Sequence, residues 1–303
     1  LELVVAVAQW LAAARGSYRP STYRQYRAAL LWAVEQMPAV EPSLRQRIEN
    51  RVKAEDVREG KARSKPLDAR TSAKKRKRIE EDDFTVLRCA LQASRRAVDV
   101  DLLVFLEANL MAGLRPSEWP SAALSLEAKG DVVLKVFNGK ATNGRANGPL
   151  RTLTYSDPED GQAYPKLRSC LMLVERVLEG VDPANRKAIW ARFCRALQDR
   201  FRTLNHHLWP RRKRHYSLYS SRHTLIAAAK QKFSSCEVAA IAGHGADATA
   251  TRHYVRPGRG KLGPCMVLPA PAETDVASVR RTLNLDRLDS SLRSLEYGRN
   301  SSR

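Results

Sequence analysis

A guanidinium set into the apolar face of a helix is the feature that most restricts what this chain can become. Between Ser217 and Phe233, apolar residues recur at Leu218, Leu225, Ile226 and Ala229, the three-four spacing of one helix face. Arg222 lies on that stripe, and Tyr219, three residues earlier, is predicted to share its face. Turning an arginine toward a core costs several kcal/mol unless an anion meets it. A helix-borne arginine most often meets a structural carboxylate; a phosphate is the other partner whose shape suits it. Ser234 with Glu237 three residues on is a capping box for the next helix, which runs through Val238, Ala239 and Ile241 and stops at Gly243. His244 follows that helix end. Asp247 to His253 then leads to Tyr254, and Pro257 with Gly258 closes the segment.

A second arginine stands in a comparable setting upstream. Asp101 to Ala112 is strongly apolar and predicts a buried helix, ending in Ala112-Gly113-Leu114-Arg115-Pro116-Ser117-Glu118. Asp131 to Phe137 and Leu150 to Tyr155 alternate as strands do, around the Gly/Asn-rich segment Asn138 to Gly148. These predict a hairpin in an otherwise helical chain.

Taken together, these elements resemble the tyrosine recombinases, the phage integrase family, whose catalytic domain is shared with type IB topoisomerases. Arg115 and Glu118 match the first box, and Tyr219-Ser220-Ser221-Arg222-His223 stands where the family usually reads His-x-x-Arg-His. Gly243-His244 matches the Gly-His element, and Tyr254 falls at the place of the nucleophile. The resemblance covers about Ile79 to Arg256, with the elements in the right order. It implies a mainly α fold with a small β-sheet or hairpin: an N-terminal helical, SAM-like core-binding domain followed by a tyrosine recombinase catalytic domain.

The implied chemistry suits these residue types. Transesterification at a phosphodiester builds negative charge on the non-bridging oxygens, which Arg115 and Arg222 would hold. Tyr254, a phenol with a pKa of about 10, would attack once nearby cations favour the phenolate. Lys140, in Asn138-Gly139-Lys140, would protonate the leaving oxygen; Lys135 is the alternative, although mid-strand placement favours a solvent-facing role. His244 completes the catalytic set, and Glu118 and His223 are expected to be structural. The family pattern has a His or Lys where Tyr219 stands; a phenol donates one hydrogen bond but brings no charge, so Tyr219 is expected to contact phosphate, with His223 or His215 compensating. Neither a cofactor nor a metal is required.

Charge supports the same class of partner. The 303 residues carry a formal charge of +21, which points to a polyanion, and nucleic acid ranks ahead of membrane because no long apolar span occurs. The five cysteines are scattered without metal or disulfide spacing, which fits a reducing cytoplasm, nucleoid-associated in a bacterium. There is no secretory signal, and a start at Leu1 without Met points to a trimmed chain.

The expected organisation is a helical DNA-binding domain over 1–60, a basic linker over 61–79, a catalytic domain over 80–260 and a tail over 261–303. In the first domain Arg19 and Arg24 interleave with tyrosines, the pattern expected of a surface laid on DNA. The linker ends in Lys74, Lys75, Arg76, Lys77 and Arg78, and a second basic run, Arg211, Arg212, Lys213 and Arg214, leads into the Arg222 helix. Asp275 to Leu295 predicts an amphipathic helix, and the resemblance implies that this tail docks on a neighbouring protomer. The partners implied are double-stranded DNA at a recombination site and further copies of the chain, up to a tetramer. Site-specific recombination or integration by a mobile genetic element is the leading function. A topoisomerase-like or telomere-resolving strand transferase, or a catalytically weak DNA-binding relative, is the alternative.

Overall fold

The computed structural model describes residues 2–18, 20–38, 40–53, 75–127, 130–139, 141, 146–156, 161–249 and 267–281. The chain divides into two compact units, Leu1–Thr71 and Ser72–Arg303. The architecture of the described residues is mainly helical with one small antiparallel sheet.

The first unit contains α1 (Glu2–Ala13), α2 (Pro20–Glu35) and α3 (Pro42–Lys53). Its core gathers Ala8 and Leu11 from α1, Tyr23 and Val34 from α2, and Ile48 and Val52 from α3. Tyr23, one of the tyrosines interleaved with arginines, is buried and donates its hydroxyl to Val52 O at 3.1 Å. It therefore belongs to the core, whereas Tyr26, packed edge-on against Tyr18, is exposed.

In the second unit, α4 (Glu81–Gln92) opens with Glu81, Asp82 and Asp83, as the positive end of a helix dipole favours. α5 (Ala97–Ala112) is the central helix, and Leu102, Phe105, Leu106 and Leu110 along it are buried. It begins a turn before the predicted Asp101 because Asp99, fully buried, is held by Arg200 Nε at 2.5 Å and Nη2 at 2.8 Å. A paired carboxylate can thus sit in a first turn that reads as too polar. Around α5 pack α6 (Ala163–Leu178), α7 (Pro183–Leu208) and α8 (Leu218–Lys232), followed by α9 (Ser235–Ile241).

The sheet is β1 (Ala122–Leu126), β2 (Val132–Phe137), β3 (Leu150–Tyr155) and β4 (Ala270–Pro271), antiparallel in sequence order. Its two inner strands are the predicted hairpin, with Leu134 opposite Leu153 and Val136 opposite Arg151. β1 is a short edge strand with mostly exposed side chains, so there was little alternation to detect in its residues. Two alanine-proline residues suffice for β4 because it lies at the other edge, where a missing N–H does no harm.

Two segments differ from expectation. Lys75 to Ile79, predicted to end a linker, lie along the start of α8: Arg76 N donates to His215 O at 2.9 Å, Ser220 Oγ donates to Arg76 O at 2.7 Å, and Ile79 N donates to Thr224 Oγ1 at 2.9 Å. In the tail, the helix spans only Glu273–Ala277 within the described residues, and this part docks on its own unit. Val279 is buried against Ala239 and Ala240 of α9, and Thr152 N donates to Asp275 Oδ2 at 2.6 Å. Residues 282–303, where the rest of the predicted helix falls, lie outside the described residues.

Candidate active site

The two arginines singled out in the sequence lie beside one carboxylate. α5 ends at Gly113, whose φ of 59° closes the helix, with its N–H on Asn109 O at 2.8 Å. Arg115 follows and precedes a 3₁₀ turn, Pro116–Ser121, that carries Glu118 inward to complete burial. Arg115 N donates to Glu118 Oε2 at 2.9 Å, and its Nη1 donates to Oε1 at 2.5 Å. Arg222 Nη1 stands 4.0 Å from Glu118 Oε2.

Arg222 is fully buried, and main-chain carbonyls at two helix ends receive its guanidinium: Nη1 donates to Gly113 O and Nη2 to Ala242 O, each at 2.5 Å. The carbonyl end of a helix carries partial negative charge, so one cation satisfies the C-termini of α5 and α9 together. This answers the question posed by the apolar stripe: the partners are two helix ends and a carboxylate. α8 is buried on nearly every side, and Tyr219, predicted on the Arg222 face, is 44% exposed. Asn109 ties the same elements together, donating to Ser221 Oγ at 2.7 Å and accepting from Trp119 Nε1 at 3.1 Å.

Close packing at Gly113 is required for this geometry. A Cβ there would drive into the Leu225 side chain of α8, and the positive φ would strain any other residue. Gly113→Ala is expected to destabilise the second unit by roughly 2–4 kcal/mol, combining overpacking with left-handed strain. A urea titration measures it, and Gly180→Ala, also at positive φ but with open space around it, isolates the strain part.

α9 ends as its sequence predicts. Ser234 and Glu237 form the capping box, while Gly243 N bonds Ala240 O at 2.9 Å and His244 N bonds Ala239 O at 2.8 Å, a Schellman closure. His244 is 4% exposed. Burial, with Arg222, Arg115 and Arg151 close by, pushes its imidazole down to about 2, partly opposed by Glu118. It is therefore a neutral ring at physiological pH.

Arg151 is the member that the sequence pattern did not single out. It lies fully buried on the inward face of β3 with Leu153 and Tyr155, donating from Nη2 to Glu118 Oε2 at 2.8 Å and from Nη1 to Asn138 Oδ1. An arginine in register with the two apolar residues of an alternating strand was the available signal. Burial alone would raise the Glu118 carboxyl; Arg151, Arg222 and Arg115 outweigh it and hold the group well below the ordinary carboxylate range. Among the described residues, three guanidiniums around Glu118, with Asp275 near Arg151, leave this nearly dry cluster with excess positive charge. Arg115 and His244 keep slight exposure, which marks the side from which an anion could approach.

The remaining predicted positions separate into groups. Lys140, Tyr254, Arg19 and Lys74 lie outside the described residues; Gly139 N, just before Lys140, donates to Glu118 Oε1 at 3.2 Å, and Ala141 N, just after it, donates to Asn138 O at 3.1 Å. Lys135 is exposed on β2. Arg24, Lys75, Lys77, Arg211, Lys213 and Arg214 are exposed, whereas Arg76 and Arg212 are tied to Asp83, at 3.0 Å from Nη1 of Arg76 and at 2.7 and 2.9 Å from the two Nη atoms of Arg212. Arg212 also lies over the Trp209 ring, and Tyr216 donates its hydroxyl to Asp83. These two arginines therefore have structural work within the fold. Arg78 is half-buried beside Glu80. Burial, with Lys77 and Arg222 nearby, pushes His223 down to about 4, and burial beside His206 lowers His215. Neither can supply the cationic charge that Tyr219 lacks.

Among the described residues no cluster of His, Cys, Asp and Glu could hold a metal ion, and no helix is long and apolar enough to cross a membrane. No protein-family model matches the chain, and no curated protein is significantly similar to it in sequence.

Proposed function

We propose that the chain is a site-specific DNA recombinase of the tyrosine type, which cuts and rejoins DNA strands through a covalent 3′-phosphotyrosine. One observation carries this reading: Arg115, Arg151 and Arg222, from three separated parts of the chain, converge on Glu118 with His244 close by, in a site with more cations than anions among the described residues. A scissile phosphate is an anion that such a site suits, and low local dielectric makes each guanidinium more effective as transition-state charge builds.

In this mechanism the Tyr254 phenolate oxygen attacks phosphorus, a bond to the 3′-side phosphate forms, and the bond to the 5′-oxygen breaks. Lys140 gives that oxygen its proton, which releases a 5′-hydroxyl. His244, a neutral ring with little affinity for a proton, is assigned as a hydrogen-bond donor to the phosphate, and the phenol proton passes to solvent as the nearby arginines favour the phenolate. Attack by another strand's 5′-hydroxyl reverses the steps and restores the tyrosine, so no external energy source enters. Tyr219, a half-exposed residue, is assigned as an uncharged hydrogen-bond donor to phosphate. Exposed Lys75, Lys77, Arg211, Lys213 and Arg214 flank the start of α8 and supply backbone contacts. The first unit is assigned as the SAM-like core-binding domain and the second as the catalytic domain, with double-stranded DNA and further copies of the chain as partners.

A library of nicked duplexes randomised around the nick tests the reading, with adducts that resist detergent recovered and sequenced. The wild type is expected to be captured on a defined sequence, and Tyr254→Phe to lose at least a thousandfold of that capture. Duplex binding without adducts on any sequence would overturn strand cleavage and leave a DNA-binding relative. That second reading draws on the uncharged Tyr219 and on the completeness with which Arg222 is buried.

A further inference from the structure

Arg151 has no part in the mechanism above, yet burying a guanidinium on the core face of a strand is costly where Leu or Val would pack. Its contacts account for its presence. Glu118 accepts four hydrogen bonds: from Arg115 Nη1 and Gly139 N on Oε1, and from Arg115 N and Arg151 Nη2 on Oε2. A carboxylate offers about four such positions, so this one is full. Arg222 is left outside hydrogen-bonding reach at 4.0 Å and rests on Gly113 O and Ala242 O.

We propose that Arg151 is a positioning residue: it occupies the Glu118 carboxylate, so that Arg222 is not captured there and the guanidiniums of Arg115 and Arg222 keep their charge for an incoming phosphate. This rests on reading the cluster as a phosphate site. Removing Arg151 has two consequences of the same sign. It opens a position on Oε2, from which Arg222 Nη1 stands 4.0 Å away, and it takes one positive charge from the cluster. A third contact connects Arg151 to the histidine turn. A Cβ on Gly243 would lie 2.7 Å from Arg151 Nη1, so the backbone before His244 rests directly on the Arg151 and Asn138 pair.

The test follows the His244 imidazole by NMR in the full chain as inorganic phosphate is added, with His244→Asn giving the assignment. Wild type is expected to show a saturable shift of His244. Arg151→Met is expected to need about tenfold more phosphate, while Arg151→Lys, which keeps a charge against Glu118, is expected to stay within about threefold of wild type. Rescue by lysine separates charge placement from simple packing, since lysine cannot hold Glu118 and Asn138 together as the forked guanidinium does. If Arg151→Met binds phosphate as wild type does, Arg151 has no positioning role although the phosphate site stands. If wild-type His244 does not respond at all, the phosphate site itself is wrong and the inference falls with it. Should Arg151→Met fail to fold, Arg151→Gln replaces it: a donor without charge is expected to weaken binding at least threefold, and unchanged affinity overturns the proposal.

Discussion

Glu118→Gln is expected to lower the stability of the second unit by about 3–5 kcal/mol, because the amide takes from three buried guanidiniums the carboxylate they share. The loss exceeds that of an ordinary ion pair because Arg151 and Arg222 are fully buried and cannot turn to water. Urea midpoints measure it, and Glu175→Gln supplies the reference. Glu175 pairs with Arg168 at 3.0 Å, but both side chains are well exposed, so that change is expected to cost less than about 1 kcal/mol. The pH dependence of the difference is fixed by sign. The folded-state pKa of Glu118 is depressed, so its contribution is fully present above the ordinary carboxylate range and lost only as pH falls through the depressed value. The gap between wild type and Glu118→Gln is therefore expected to be flat from pH 5 to 8. A gap that closes over that range would mean that Glu118 is not the charged centre of the cluster.

How the chain made this cluster legible differs from residue to residue. Arg222 was visible because a 3.6-residue period set it among leucines and alanines, and Glu118 because it follows Arg115 at a motif's spacing. The α9 cap was visible because capping boxes and Schellman glycines are local chemistry. Arg151 obeys the same logic as Arg222 with a period of two, but a six-residue strand offers only Leu153 and Tyr155 to define its face. Two neighbours make a weak pattern. Asp99 and Asp83 show the opposite limit, since each is a first-turn acid that reads as a solvated helix start and is in fact held by arginines distant in sequence, Arg200 for one and Arg212 for the other. Spacing carries no information about such pairs. The same gap explains why Arg76 and Arg212 read as DNA contacts: a run of basic residues does not say which of them a buried carboxylate will claim.

Acidification is expected to destabilise the second unit before the ion-paired carboxylates of Asp83, Asp99 and Glu118 titrate. The folded-state pKa values of His223 and His244 are depressed, to about 4 and about 2, by burial first and by neighbouring cations second. In the unfolded chain both sit near 6.5. Between pH 6.5 and 4 the unfolded state therefore binds protons that the folded state refuses, so stability is present above pH 6.5 and lost as pH falls. Each ring costs about 1.4 kcal/mol for every tenfold rise in proton concentration, so the two set a ceiling of roughly 7 kcal/mol over that interval; local opening around the less buried His223 brings the expected loss to several kcal/mol. His215, lowered by burial and His206, acts in the same direction. Asp83 and Asp99 are depressed below their ordinary value and add nothing until lower pH. Urea midpoints at pH 7.5, 6.0 and 5.0 are expected to fall steadily for wild type and to flatten when His223 and His244 are both replaced by Asn. Phosphate should alter the slope mainly through His244, which has both Arg115 and Arg222 beside it, whereas His223 has only Arg222 of the two. An anion held by Arg115 and Arg222 offsets the charges that depress this ring, raises its pKa toward the unfolded value, and so is expected to shrink the part of the acid loss that His244→Asn removes. If duplex DNA or inorganic phosphate leaves that part unchanged, the anion is not seated among these arginines.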